Sequence, residues 1–172
     1  MTLRLAGSAF VPMDKSTRMW IQLTHFDIEP EQDDRTLLAS LIASPGYAHD
    51  YASPFDDAAV ITEPALHGRW WRGSIRPELF TSWMAPEAEF VIRDWADNQD
   101  WTDPDFRQPP AVQQRLQEVC ALLHTGDLYK LDNPGAEDEH EYGAVTGTMG
   151  FHEFVVIDRS TLSLHVVVAS DD

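Results

Sequence analysis

The chain reads as an α+β protein: an antiparallel β-sheet with a C-terminal hairpin packed against one or two helices. Three observations predict this. Residues 151–158 and 162–169 are rich in β-branched and aromatic side chains, and the link between them has the length of a hairpin loop. Residues 110–124 carry Val112, Leu116, Val119, Cys120 and Leu123 on one stripe at helical spacing. The segments 3–11 and 17–28 alternate as strands do. With 172 residues, 43% of them apolar and six of them tryptophan, the chain has the length and composition of one folded domain that needs neither disulfide nor metal.

In chain order, the first two strands form a hairpin, with Pro12, Asp14 and Ser16 supplying turn chemistry. In the second strand Met19, Ile21, Leu23 and His25 share one face, and Trp20, Gln22, Thr24 and Phe26 share the other. Neither face is wholly polar, so both are expected to be partly covered. After the acidic connection 27–34 comes a short helix over Arg35–Ala43, capped by Asp33 or Asp34 and ended by Pro45 and Gly46. Residues 47–57 lack periodicity and read as a surface loop.

Strands are predicted for Ala58–Glu63 and His67–Ile75, with Trp70 and Trp71 pointing to opposite faces of the second. A helix over Pro86–Asn98 starts with Pro86 in its first turn and Glu87 and Glu89 near the positive end of its dipole. Phe90, Val91, Asp94 and Trp95 are spaced around its turns. A polar, proline-bearing link leads to the helix Pro110–His124, with Gly126 placed to terminate it. Residues 127–131 make a short strand, and 132–141 an acidic exposed loop.

A three-residue link at Arg159–Thr161 puts Phe154, Val156, Leu162, Leu164, Val166 and Val168 on the core face of the final hairpin. His165 then falls on the other face, across from Val155 and diagonal to Glu153.

Twelve basic against twenty-nine acidic side chains give a formal charge of −17. Such a field repels phosphate backbones and anionic lipid, which argues against direct nucleic-acid binding and membrane association, and it speeds encounter with a basic protein. The lone Cys120 excludes an intrachain disulfide and a four-cysteine zinc site. No secretory signal is legible in residues 1–20 and no apolar run is long enough to span a bilayer, so a reducing, cytoplasmic setting is expected. Oligomeric state is not encoded legibly.

No motif names a reaction or a cofactor. The glycines Gly143, Gly147 and Gly150 match neither the phosphate-binding loop nor the dinucleotide fingerprint. His140, His152 and His165 lack the spacing of a metal-ligand pair, and the acids Asp94–Asp105 lack the fixed glycine and terminal glutamate of a calcium loop. No metal site is assigned. Cys120, on an apolar stripe, reads as core.

Two functional expectations remain. The first is an acidic interaction protein (inhibitor, immunity-type protein or adaptor) that covers a basic partner through Asp33, Asp34, Asp100, Asp103, Asp105, Glu137, Asp138 and Glu139. An ordered array of these acids, imitating phosphates, is its special case. The second is a small ligand-binding domain or enzyme. It rests on the basic, aromatic segment Arg69, Trp70, Trp71, Arg72 and Arg76, which suits an anionic or planar molecule, with His49 or His67 as acid or base.

Overall fold

The computed structural model describes residues 3–49, 51, 65–97, 103–140, 147 and 150–171. Six strands form one antiparallel sheet: β1 Arg4–Pro12, β2 Met19–Asp27, β5 Phe80–Trp83, β6 Asp127–Leu131, β7 His152–Asp158 and β8 Ser163–Asp171. Their spatial order is β1-β2-β8-β7-β6-β5, so the C-terminal hairpin occupies the centre and, among the described residues, β1 and β5 form the edges. A separate two-stranded ribbon pairs β3 Leu66–His67 with β4 Trp70–Trp71. The helices are α1 Asp34–Ala43, α2 Ala85–Asp97 and α3 Pro110–Leu123.

Both faces of the sheet are covered. On one, α2 and α3 pack Ile92, Trp95, Leu116, Val119, Cys120 and Leu123 onto Met19, Ile21, Phe154, Val156, Val167 and Ala169. On the other, α1 and the ribbon segment pack Leu37, Leu41, Tyr47 and Trp70 onto Trp20, Phe26, Val155, Ile157, Leu164 and Val166. Each valine, leucine, isoleucine, phenylalanine or methionine among them, buried from water, contributes about 1.5–3 kcal/mol of hydrophobic free energy. The central strands are apolar on both faces because both meet helices or covering chain.

The final hairpin differs from its sequence reading. Asp158 pairs with Ser163, so the link is the four residues 159–162. One extra residue moves every side chain of one strand to the other face. Phe154 and Val156 therefore look towards α2 and α3, whereas Leu164, Val166 and Val168 look towards α1. Asp158 closes the loop by accepting from the Ser160 and Thr161 amides, and Leu162 adopts φ 52°, a left-handed conformation unusual for leucine.

The expected strand His67–Ile75 is broken into β3, β4 and a 3₁₀ turn over Arg72–Ser74. Gly68 supplies the left-handed turn at φ 55°, and a Cβ there would strike the Phe151 ring at 2.5 Å. The strand expected at Ala58–Glu63 lies outside the described residues. β5, which the sequence reading passed over, is a four-residue edge strand between Pro77 and Pro86. The other helices and the opening hairpin fall close to where periodicity put them, and Asp33 caps α1 by accepting from the Thr36 amide at 2.9 Å.

Candidate functional site

The basic, aromatic segment splits as its alternation requires. Trp70 is buried in the core beneath the sheet, and Trp71 is 37% exposed with its ring edge-on to His140. Arg69 lies over the Trp70 ring, 5.7 Å from its centroid, and pairs with Glu139 at 3.0 Å. Arg72 donates to the Ser44 carbonyl at 3.4 Å, while Arg76 is exposed at the entry to a turn. Arg69 thus serves a contact between the ribbon and residues 136–140, and Trp70 serves the core.

His67 is fully buried. Its Nδ1 donates to the Tyr47 carbonyl at 2.6 Å, and its Nε2 meets Glu153 Oε2 at 2.6 Å. The Tyr47 hydroxyl donates to the second oxygen of Glu153 at 2.7 Å, and the Tyr47 ring stacks on His67 with 3.6 Å between centroids. Burial, with Glu153 beside it, pushes the Tyr47 hydroxyl well above the ordinary tyrosine range. Every polar atom of this cluster is matched, as buried polar groups require. The cluster clamps the chain after α1 and the ribbon onto the start of β7, through Glu153. His49, which accepts from the Tyr51 amide and stacks on Tyr51, lies beside it. His67 presents no surface to solvent in this arrangement.

Glu153 therefore serves His67, and His165 has a different neighbour. His165 lies between Val156 on β7 and His25 on β2. The two Nδ1 atoms are 2.5 Å apart, and His165 Nε2 is 3.0 Å from the Ser163 hydroxyl. Burial lowers the pKa of both imidazoles, and for His165 the charge of His25 adds to it. His152 falls on the same face as His165, contrary to the three-residue register. The two pair with Ala169 and Val156, four rungs apart, or about 13 Å along the strand.

The acids expected to meet a partner are spread over the molecule. Asp33 is exposed at the start of α1, and Asp34 is held by the Tyr129 hydroxyl and Arg159. Asp103 and Asp105 are exposed ahead of α3, on the opposite side of the sheet from α1. Glu137 is exposed, Asp138 accepts from Ser74 at 2.8 Å, and Glu139 holds Arg69. Asp100 lies outside the described residues.

The feature best suited to contact another molecule is the outward face of α2. This helix buries Ala88, Ile92, Trp95 and Ala96, and that stripe turns Phe90 away from the core. Phe90 is 70% exposed and Met84, just before the helix, 67%. Phe90 stands as a ridge between two open depressions. One, about 430 Å³, is lined by Trp83, Pro86, Glu87 and Val91. The other, about 450 Å³, is lined by Glu89, Arg93, Asp94, Asp97 and Arg107.

The surroundings of this ridge are held in place. Glu89 accepts from Arg93 at 2.8 Å and from His124 at 2.9 Å, bracing α2 against α3, and these contacts hold its carboxyl below the usual range. Trp83 is fixed by Lys130, 4.6 Å above its ring, and by the edge of Phe154. Sequence reading counted Phe90 among residues spaced around the helix. The distinguishing signal is its phase against Ile92 and Trp95, which define the buried stripe.

No family model matches this chain, and no curated protein or solved structure matches it either.

Proposed function

We propose that this chain is an acidic interaction domain that docks the outward face of α2 onto a basic surface of another protein, as an inhibitor, immunity-type protein or adaptor does. The observation that carries the reading is Phe90: a large aromatic side chain, 70% exposed on a well-packed helix and ringed by charged residues, the acids Glu87, Glu89, Asp94 and Asp97 together with Arg93 and Arg107. Aromatic anchors ringed by polar groups are where interface binding energy concentrates. Exposed apolar patches on an otherwise polar protein mark contact sites. The net charge of −17 supports a basic partner, since complementary fields accelerate encounter.

The roles divide accordingly. Phe90 and Met84 supply desolvated contact area, Pro86 and Trp83 shape the groove beside them, and Glu87 and Asp94 set the preference for cations, while Asp97 is engaged by the Gln108 amide and the Gln113 side chain. Asp103 and Asp105, a short distance along the chain, extend the acidic field. A lysine-rich amphipathic helical peptide with one leucine or tryptophan face is the probe. Phe90→Ser weakens its binding by about 30-fold, the equivalent of about 2 kcal/mol for an interface anchor. Asp94→Asn with Glu87→Gln instead flattens the salt dependence. Equal affinity of wild type and Phe90→Ser removes α2 from the interface.

A further inference from the structure

We propose that His25 and His165 form a cross-strand site for a divalent transition-metal ion of the zinc or nickel class, held through their two Nδ1 atoms with water completing its coordination. The site shares no residue with the outward face of α2 and does not depend on that reading. His25 on β2 and His165 on β8 are direct partners in the register, so both rings leave the same face of the sheet side by side. Their Nδ1 atoms converge to 2.5 Å, and each side chain is only half-buried, so an ion from solvent can reach them.

The second nitrogen of His165 decides which of its atoms can ligate. Nε2 lies 3.0 Å from the Ser163 hydroxyl, and a proton held there leaves the Nδ1 lone pair facing His25. Metal-bound histidines donate their other N–H in this way, which fixes the ring and its tautomer. Before binding, His25 Nδ1–H donates to that lone pair. On binding, this proton moves to His25 Nε2 by exchange with water, so both rings stay neutral and both Nδ1 atoms face the ion. Burial already favours the neutral imidazoles, the form that ligates. Two nitrogens at about 2.0–2.1 Å from one tetrahedral zinc lie about 3.3 Å apart, so the rings part by less than about 1 Å.

The surroundings favour a cation. Two residues further along the strands, about 7 Å away on the same face, Asp27 and Asp158 flank Ser163. Asp27 pairs with Arg4, and Asp158 accepts from the Ser160 and Thr161 amides, so both act as outer charges and not as ligands. The net charge of −17 raises the local concentration of any cation. Gly7 faces His25 from β1, and a Cβ there would meet no atom within 4 Å, which leaves room beside the His25 ring. Among the described residues no third His, Cys, Asp or Glu closes on the pair. An oxygen-seeking ion such as Mg2+ or Ca2+ therefore finds no cage here, whereas imidazole nitrogens suit zinc, nickel and copper.

Zinc alone is the probe. The untagged full chain is titrated with Zn2+ in excess Mg2+, which occupies the carboxylates of the acidic surface, and followed by long-range proton–nitrogen correlation of the imidazole rings. The expected result is saturation at one equivalent, with the Nδ1 resonances of His25 and His165 shifting together and the other five of the seven histidines unmoved. His25→Gln and His165→Gln each weaken binding at least about tenfold, since a ligand counts for no less than the groups that orient it. His124→Gln, at an exposed histidine, leaves binding unchanged. The two-ring shift is read on the unaltered protein and so stands apart from any effect of the substitutions on folding. Zinc that moves neither Nδ1, moves other histidines instead, or binds either variant as tightly as the wild type overturns the proposal.

Discussion

Removing the Glu153 carboxylate is the sharpest perturbation of the fold that the structure offers. Glu153→Ala deprives His67 Nε2 and the Tyr47 hydroxyl of their common partner in a site where all three residues are at most 1% exposed. Each buried group left unsatisfied costs about 1–3 kcal/mol, and breaking a buried ion pair by deleting one member costs about 3–5 kcal/mol. Taking about 3–5 kcal/mol for the whole change, and about 2–4 °C per kcal/mol for a chain of this size, the melting temperature falls by roughly 6–20 °C.

Glu153→Gln is the informative companion. Its carbonyl still accepts from Tyr47, and its amide donates to His67 Nε2 so long as the ring proton stays on Nδ1, facing the Tyr47 carbonyl. The loss then is about 1–2 kcal/mol, that of weakening one charge-assisted hydrogen bond. Urea denaturation followed by circular dichroism measures both variants, and a cycle with His67→Phe isolates the coupling. A Glu153→Ala loss below about 1 kcal/mol would refute the claim that this cluster clamps the segment after α1 onto β7.

Other parts of the molecule give equally definite expectations. His25 and His165 have pKa values lowered below 6.5 by burial, so the unfolded chain binds more protons. Stability is therefore full above about pH 6.5 and is lost as pH falls through the folded values; thermal melts between about pH 7.5 and 5 show this decline, and His165→Asn flattens it. Cys120 is buried, and desolvation raises its thiol to about 11. At pH 8 it resists a thiol reagent in the native protein and reacts at once in denaturant; fast native labelling contradicts the packing of α3. At Gly126 a Cβ would sit 2.1 Å from the Ile157 carbonyl oxygen, so Gly126→Ala destabilises by about 2 kcal/mol or more in the same denaturation assay, and a change within about 0.5 kcal/mol contradicts that close approach.

Where the sequence could be read, a regular period met a single environment. The α3 stripe of Val112, Leu116, Val119, Cys120 and Leu123 is buried as its spacing demands. The alternation of β2 sends Met19 and Ile21 to one core and Trp20 and Phe26 to the other. The hairpin register was not legible, because the four-residue loop turns on a left-handed leucine, where turn chemistry leads one to look for glycine or asparagine. With both strands apolar on both faces, their pattern could not expose the slip.

Gly126 was legible as a break after α3 but not as the close contact it makes with β7. The pairing of His67 with Glu153 spans 86 residues and leaves no local trace. Phe90 was visible as an aromatic on a helix. Its outward orientation emerges only once Ile92 and Trp95 are recognised as the buried stripe.

Amide chemical-shift mapping of the lysine-rich amphipathic peptide onto the full chain tests the proposed function most directly. The account predicts that the shifted resonances centre on residues 83–94 of β5 and α2, and that they return to their free positions in high salt. Shifts centred on Arg69–Arg76 with α2 unmoved would contradict it, as would none at all.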